Sequence, residues 1–397
     1  MKIEDEKNLK PLSSPGALVT VAVLMRNFSR TAGGAESYAV QLTAHLNHRY
    51  QITVFGQTFG QAIEGVTYVH VPYVKVLPRW LNQVWYALIT WWHTRHKFDL
   101  VHSHENVWHG AVHTIHVKTV HASVLERRST KGAFSTWLKT YTSPRMLTYL
   151  GMERCRLRPS RHVIFASSAL KDETLGIFPR QHRNFVLAPG VSLPAQVMSQ
   201  ESRKQVRESI GLAPDCQVVL FVANDFKKKG LDTLLLAMGL LHQQGQRDLR
   251  LLVAGSGLPT ALYRQLIDRL GIQDVVQFLG TKADMRPLYD ISDCLAHPTT
   301  QDVFPMVVLE AMAHQLPVIT SCSPWNSMAD LLRSNQDALL ISDPFDAQVL
   351  AAAILKCLTE KYLSSCLRAN GLEFSKKYRW DHIALAQADI YEAARSH

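Results

Sequence analysis

The sequence predicts an α/β protein of two doubly wound, Rossmann-like domains facing a cleft. The first observation behind this is length. At 397 residues, and roughly 100–200 residues per domain, two domains are expected. The second is order. Apolar runs of strand length alternate with helical patterns, the signature of a parallel sheet covered on both faces. The third is repetition. The alternation runs to a turn at Ala188-Pro-Gly-Val191, pauses over a polar stretch at 192–206, and then starts again.

Residues 1–16 are polar with two prolines and are read as a disordered tail. The first domain, 17–191, opens with an apolar run at 17–25 and a loop at 26–32. Gly33-Gly34-Ala35-Glu36 then starts a helical pattern that continues to about His48. Strands are expected at 51–55, 67–71, 99–102, 113–117, 162–167 and 184–188, with helices at 79–96 and 134–150 among them. The second domain, 192–379, begins with the polar linker 192–206. Its strands are expected at 218–223, 250–254, 275–279, 294–297, 317–321 and 338–341. Helices at 231–243, 260–270, 306–315 and 347–359 lie between them. In such sheets ligands bind beyond the carboxyl ends of the strands, so the expected site is the cleft between the domains.

A net charge of +10 favours an anionic partner, whether nucleic acid, acidic lipid or a phosphorylated ligand. The six cysteines include no C-x-x-C pair and read as reduced thiols, which suits a cytosolic location. The start, Met-Lys-Ile-Glu-Asp-Glu-Lys, has no apolar core and does not read as a secretory signal. The longest apolar run, 84–92, is about half of the ~20 residues that span a bilayer, so no transmembrane protein is expected.

The chemistry concentrates in 295–319. This stretch reads as a strand, a polar loop, an apolar helix opened by Pro305, and a second strand. Proline suits the first helical position because the amide it lacks would be unpaired there. From Met306 to Ala313 every residue is apolar except Glu310, so the helix reads as buried with one carboxylate inside. Such a carboxylate is costly unless something hydrogen-bonds it. Asp302 stands just before the helix, where free amides and the helix dipole attract anions. Together these suggest a polar ligand with an anionic part. Val222-Ala-Asn-Asp-Phe-Lys-Lys-Lys-Gly230 adds a strand running into a lysine-rich loop, where Lys228 and Lys229 can reach a phosphate. A dinucleotide enzyme would carry G-x-G-x-x-G at the first strand-to-helix turn. The chain has only Gly33-Gly34 there, and Gly255-Ser-Gly257 is a lone G-x-G.

Gly33-Gly34-Ala35-Glu36, Lys229-Gly230, Phe278-Leu-Gly280 and the carboxylates Asp302 and Glu310 occur in an order and spacing that resembles family four of the retaining nucleotide-sugar glycosyltransferases, which have the GT-B fold. The resemblance runs from about residue 18 to the C-terminus. Asn224-Asp-Phe-x-x-Lys-Gly230 and His297-Pro-x-x-Gln-Asp302 are most similar to the lipopolysaccharide core glucosyltransferase type, which acts on heptose. It implies that Glu310 accepts hydrogen bonds from the ribose hydroxyls and that Asp302 holds hydroxyls of the transferred sugar. The amides of Met306 and Val307, with Lys229, would bind the diphosphate and stabilise it as it leaves. Gly33 and Gly34 would let backbone approach the ligand. Asn224, Lys228 and Thr281 complete the implied donor site. His116, in Thr114-Ile-His116, takes the position of a cleft histidine that orients substrate. The expected catalytic group is then His116, Asp302 and Lys229. No metal and no other cofactor is implied; a UDP-sugar serves as co-substrate. The C-terminal helix, about 380–397, would cross back to the first domain. The sequence departs from the family pattern at three positions: Asp302 stands where Glu is usual, Pro305 replaces a nearby glycine, and Asn224 replaces an arginine.

His102, His104, His109, His113 and His116 suggest a rival. His102-Ser-His104 puts two imidazoles on one face of a strand end, as in some metal hydrolases. A non-catalytic glycan-binding module is a second alternative. His104 and Arg145 are the expected acceptor-binding residues. The excess charge sits in 127–161, which has nine Lys/Arg and one acidic residue, Glu153. Phe134, Trp137, Leu138 and Tyr141 fall on one helical face. With Arg127, Arg128, Lys131 and Lys139 they read as a membrane-surface element or, alternatively, as a helix packed in the core. No nucleic-acid recognition motif accompanies the charge. The sequence expectation is therefore a cytoplasmic enzyme, peripheral to the inner face of the membrane, moving glucose from a UDP-sugar to a lipid-linked saccharide.

Overall fold

The computed structural model describes residues 18–131, 142–256 and 260–396. In the first domain the strands are β1 (Thr20–Leu24), β2 (Asn27–Phe28), β3 (Gln51–Gly56), β4 (Thr58–Phe59), β5 (Thr67–His70), β6 (Leu100–Ser103), β7 (Val112–Ile115), β8 (His162–Phe165) and β9 (Asn184–Val186). β2 and β4 form a small pair; the rest make one sheet ordered β5-β3-β1-β6-β7-β8-β9. All of its pairings are parallel. Around it lie α1 (Gly34–Leu46), α2 (Arg79–Thr94), α3 (Val120–Lys131), α4 (Pro144–Arg156) and α5 (Ser168–Ile177).

The second domain repeats the plan with β10 (Gln217–Val222), β11 (Leu249–Ala254), β12 (Val276–Gly280), β13 (Cys294–His297), β14 (Val318–Ser321) and β15 (Leu339–Ile341). Their order is β12-β11-β10-β13-β14-β15, again parallel throughout. Its helices are α6 (Gln200–Ser209), α7 (Leu231–Gln243), α8 (Ala261–Leu270), α9 (Arg286–Ile291), α10 (Met306–Ala313), α11 (Ala347–Thr359) and α12 (Lys361–Lys376). Strand order reverses between β1 and β6 in one sheet and between β10 and β13 in the other. The loops beyond those strands therefore open the crevices in which doubly wound sheets bind ligands.

A last helix, α13 (Trp380–Arg395), packs on α1 of the first domain. Trp380 meets Tyr38 edge-on at 5.7 Å, and a Cβ on Gly190 would lie 2.5 Å from the Trp380 ring. The two crossings between domains are joined by backbone: Val191 N donates to Tyr378 O at 2.6 Å and Trp380 N donates to Val191 O at 3.3 Å.

Three sequence expectations are corrected. The polar stretch 192–206 is not a plain linker, because α6 starts inside it. Ser199 caps that helix by accepting from the Ser202 amide. The expected helix 134–150 is interrupted: Ser143 is the N-cap of α4 and Pro144 its first residue. Proline fits a helix start and breaks an interior. Finally, Arg156, one of the nine basic residues of 127–161, is buried rather than part of a basic surface. Its guanidinium donates to the Thr114 carbonyl. The membrane-surface residues Phe134, Trp137 and Lys139 lie outside the described residues, as do the side chains of Arg127, Arg128 and Lys131 and the tail 1–16. Among the described residues no helix is long and apolar enough to cross a membrane.

Candidate active site

The loop from β13 to α10 is held by its neighbours. Asp302 N donates to Trp325 O at 2.8 Å, and Ser327 N donates to Asp302 O at 3.1 Å. The Asp302 carboxylate is thereby fixed beside Lys229, which donates to Oδ2 and forms an ion pair. His297, at the end of β13, approaches the same oxygen through Nε2 at 3.3 Å. Burial pushes the Asp302 carboxyl up. The His297 hydrogen bond and the Lys229 charge outweigh it, so the group titrates below the usual carboxylate range. Burial lowers His297, against the pull of Asp302, which makes it a neutral ring donating from Nε2. Two expected catalytic residues, 73 positions apart, therefore meet directly. The Lys229 charge is shared with Asp302.

Gly230 sets the position of Lys229. Its φ is +80°, a left-handed conformation that favours glycine, and a Cβ there would come within 2.1 Å of Pro298 O. The loops after β10 and β13 are also bonded to each other, Thr300 N donating to Lys228 O at 2.8 Å. The Lys228 side chain is exposed and leans to Asp225 at 3.6 Å. Asn224 is exposed and accepts from Ser256 N at 3.4 Å. Thr281 is exposed just after β12.

Helix α10 corrects the expectation of an all-buried helix. Val308, Leu309, Ala311, Met312 and Ala313 are buried, whereas Met306, Val307 and Glu310 are half-buried along one side. Val308 N and Leu309 N reach the Pro305 carbonyl at 3.1 and 3.4 Å. Met306 and Val307 therefore supply the amides without an intrahelical acceptor. Glu310, one turn in, accepts a hydrogen bond from Tyr289 of α9 at 2.6 Å on Oε2. Burial raises its carboxyl above the ordinary glutamate value, with Tyr289 and the His314 charge pulling the other way. His314 is engaged by Asp290 at 2.6 Å. Part of the carboxylate's need is thus met inside the protein, without a ribose.

The first domain closes on this loop from two sides. Met306 packs against the cluster containing Tyr38 and Trp380, and Val303 against the one containing Ile115 and Phe165. A Cβ on Gly34 would find Met306 Sδ as its nearest atom, at 4.0 Å. Gly33 has an extended backbone that any residue adopts; a Cβ there would meet only the flexible end of Glu36, at 2.6 Å. The protein's own atoms give Gly34 no steric reason to be glycine.

His116 follows β7, half-buried, with Nε2 3.0 Å from Nδ1 of His104. The two rings stack at 5.3 Å and Tyr38 meets His116 edge-on at 5.0 Å. Burial, helped by the Arg156 charge, pushes His116 down to about 3, so it is a neutral imidazole. His104 is buried behind it, which corrects its assignment to the acceptor: it holds His116. The metal-hydrolase rival also fails here, because both ring nitrogens of His102 are occupied. Nδ1 meets Tyr391 Oη at 2.8 Å and Nε2 meets Thr114 Oγ1 at 2.8 Å. Among the described residues no group of three or more ligating side chains is arranged to hold a metal ion. Arg145 is exposed in the first turn of α4.

Two family models match the chain, one after the other. "Glycosyltransferase Family 4" matches residues 32–193, and "Glycosyl transferases group 1" matches residues 202–374. The chain belongs to the family 4 glycosyltransferases. This glycosyltransferase is 26% identical over 312 residues to the uncharacterized glycosyltransferase MJ1607 of Methanocaldococcus jannaschii, covering 75% of this chain and 76% of that protein. It is 28% identical over 195 residues to the lipopolysaccharide glucosyltransferase WaaG of Escherichia coli, covering 48% of this chain and 50% of WaaG. The chain thus spans about half the length of that relative. A crystal structure of WaaG superposes with a TM-score of 0.81 at 21% identity, covering 94% of this chain and 99% of that one. Anabaena Alr3699/HepE, crystallised with UDP and glucose, gives 0.73 at 18% identity, covering 94% and 98%. At these identities the structural likeness establishes the GT-B fold.

Sequence reasoning gave no roles to Tyr289, His297 and Tyr38. His297 had a signal, as the last strand residue before the polar loop. Tyr289 had none, because its partner is 21 residues away on the next helix.

Proposed function

We propose that this glycosyltransferase moves glucose, with retention and without a metal, from UDP-glucose to a lipid-linked saccharide of envelope polysaccharide or lipopolysaccharide synthesis. One observation carries the reading: the open amides of Met306 and Val307 stand between the Asp302–Lys229 pair and Glu310. That order matches the parts of a nucleotide sugar. The amides, the helix dipole and Lys229 take the diphosphate. Glu310 accepts from the ribose hydroxyls while Tyr289 steadies its other oxygen. Asp302, ionised throughout the neutral range, accepts from sugar hydroxyls. As the glycosidic bond to phosphate breaks, negative charge grows on the diphosphate, and the fixed amides and the lysine stabilise it. Neutral His116 orients sugar or acceptor by hydrogen bonding. WaaG, a lipopolysaccharide glucosyltransferase, and HepE, crystallised with UDP and glucose, support glucose and UDP as the donor parts. The basic residues of 127–161 other than the buried Arg156 support attachment at the inner face of an anionic membrane, at roughly 1 kcal/mol per basic residue near the surface.

The test is thermal-shift screening of the full chain against nucleoside diphosphates and their sugars, followed by transfer assays with chelator present. A shift selective for UDP and UDP-glucose, with transfer unaffected by chelator, is expected. No response to any nucleoside diphosphate would overturn the donor assignment, and loss of transfer with chelator would overturn the metal-free step.

A further inference from the structure

A second cavity lies away from the cleft. It has a volume of about 300 Å³ and is bordered by Gln217, the first residue of β10, and Asp293, the residue before β13. The cleft lies beyond the other ends of those strands, roughly 20 Å away at about 3.3 Å per residue.

Its walls carry four cations, Arg203, Lys204, Arg207 and Arg368, and two carboxylates, Asp215 and Asp293. Arg207 is fully used inside the protein: it donates to the carbonyls of Ile291, Pro214 and Cys216 and to Asp293 Oδ2 at 2.9 Å. Arg203 matches the other oxygen of Asp293 at 2.6 Å, while its Nε–H is buried with no partner. Tying α6 to the sheet explains these contacts and leaves the rest unexplained. Among the described residues Lys204 has no carboxylate partner. Among the described residues Arg368 bonds only the Gln315 carbonyl, at 3.0 Å; burial lowers its pKa, against the pull of Asp293. Two helix starts also face the cavity: α6 through Gln200, Arg203 and Lys204, and α12 through Ser364. Helix starts favour anions.

We propose that this cavity binds a phosphomonoester dianion, at a site separate from the donor cleft. The lining charge of four cations against two carboxylates is balanced by a dianion. Lys204 and Arg368 supply the charge and Ser364 a hydroxyl. The volume is at the small end for ligand pockets. It fits a phosphate with a small attached group, carried by a soluble ester or by a lipid headgroup.

The experiment is calorimetric titration of the full chain with inorganic phosphate and with glycerol phosphate, at constant ionic strength in phosphate-free buffer. In parallel, flotation compares phosphatidic-acid vesicles with phosphatidylcholine vesicles. Saturable phosphate binding is expected, weakened at least tenfold by Lys204→Gln and by Arg368→Gln and retained in Lys229→Ala. Flotation lost in the same two variants would assign the phosphate to a lipid; soluble binding without flotation would assign it to a soluble ester. No saturable binding, or binding indifferent to both variants, overturns the proposal. So does loss in Lys229→Ala, which would put the phosphate in the cleft. Lys204 is exposed, so its variant decides the matter if Arg368→Gln folds poorly. The outcome is independent of the donor assignment, which nucleotide binding in the same variants reports separately.

Discussion

In the first domain, β6 and β7 carry His102 and His113 into the interior, His104 and His109 are buried nearby, and Arg156 lies over Thr114. In the second, the strands in the matching places are β13 and β14, which bury Cys294, Leu295, Ala296, Val318 and Ile319, with a single histidine, His297, at a strand end. Its functional polar groups sit at strand ends and loops. One fold plan thus supports two interiors. The apolar one is a firm platform for the donor loop. The polar one holds neutral imidazoles, and both ring nitrogens of His109 and His113 lack partners. What differs between the domains is therefore their tolerance of acid.

The largest expected effect tests that difference directly. Burial lowers His102 from 6.5 to about 3, and His109 to about 4; His104 and His113 move the same way. Below about pH 6.5 the unfolded chain takes up protons that the folded one refuses. The stability is thus full above that pH and lost as pH falls toward 3, at about 1.4 kcal/mol per pH unit for a histidine as buried as His102. Hydrogen exchange at pH 7 and pH 5 should show β6 and β7 losing protection before β13 and β14. Parallel loss in both domains would break the comparison.

Next, Lys229→Ala or Glu310→Gln should lower turnover at least 100-fold, about 2.7 kcal/mol, with exchange protection of both sheets unchanged. Full activity in either variant would remove the donor role from the second domain. A smaller effect is expected of Gly230→Ala. Forcing a Cβ into a left-handed residue against Pro298 O should cost about 1–3 kcal/mol, read as a lower melting temperature with weaker nucleotide binding. Smallest is Tyr289→Phe. Without its hydrogen bond the Glu310 carboxyl, already raised by burial, rises further. The acid limb of the pH–rate profile should shift to higher pH, with a loss of roughly tenfold, about 1.4 kcal/mol, near that limb. An unmoved acid limb would mean that Glu310 does not control it.

The contrast between interiors also explains what could be read from sequence. The helices at 231–243 and 347–359 and the strand at 294–297 match their expected bounds, because apolar runs there end at sharp signals such as Gly230 and the capping Asp346. Helix α6 escaped notice because it is polar nearly all round and its buried residue is an arginine, Arg207. Helix α4 was misjudged because the pattern was carried through Pro144. In the site, the residue types that bind anions were legible; the pairings were not. Asp302 with Lys229, Tyr289 with Glu310 and His104 behind His116 are contacts between distant segments, set by topology rather than by spacing.

The doubled crossing at Val191 and Tyr378–Trp380 has a mechanical consequence. Two strands of chain bonded side by side act as the spine of a book, so rotation about that line is the relative motion that stretches neither. Such a rotation would lift Val303 and Met306 from their seats on the first domain.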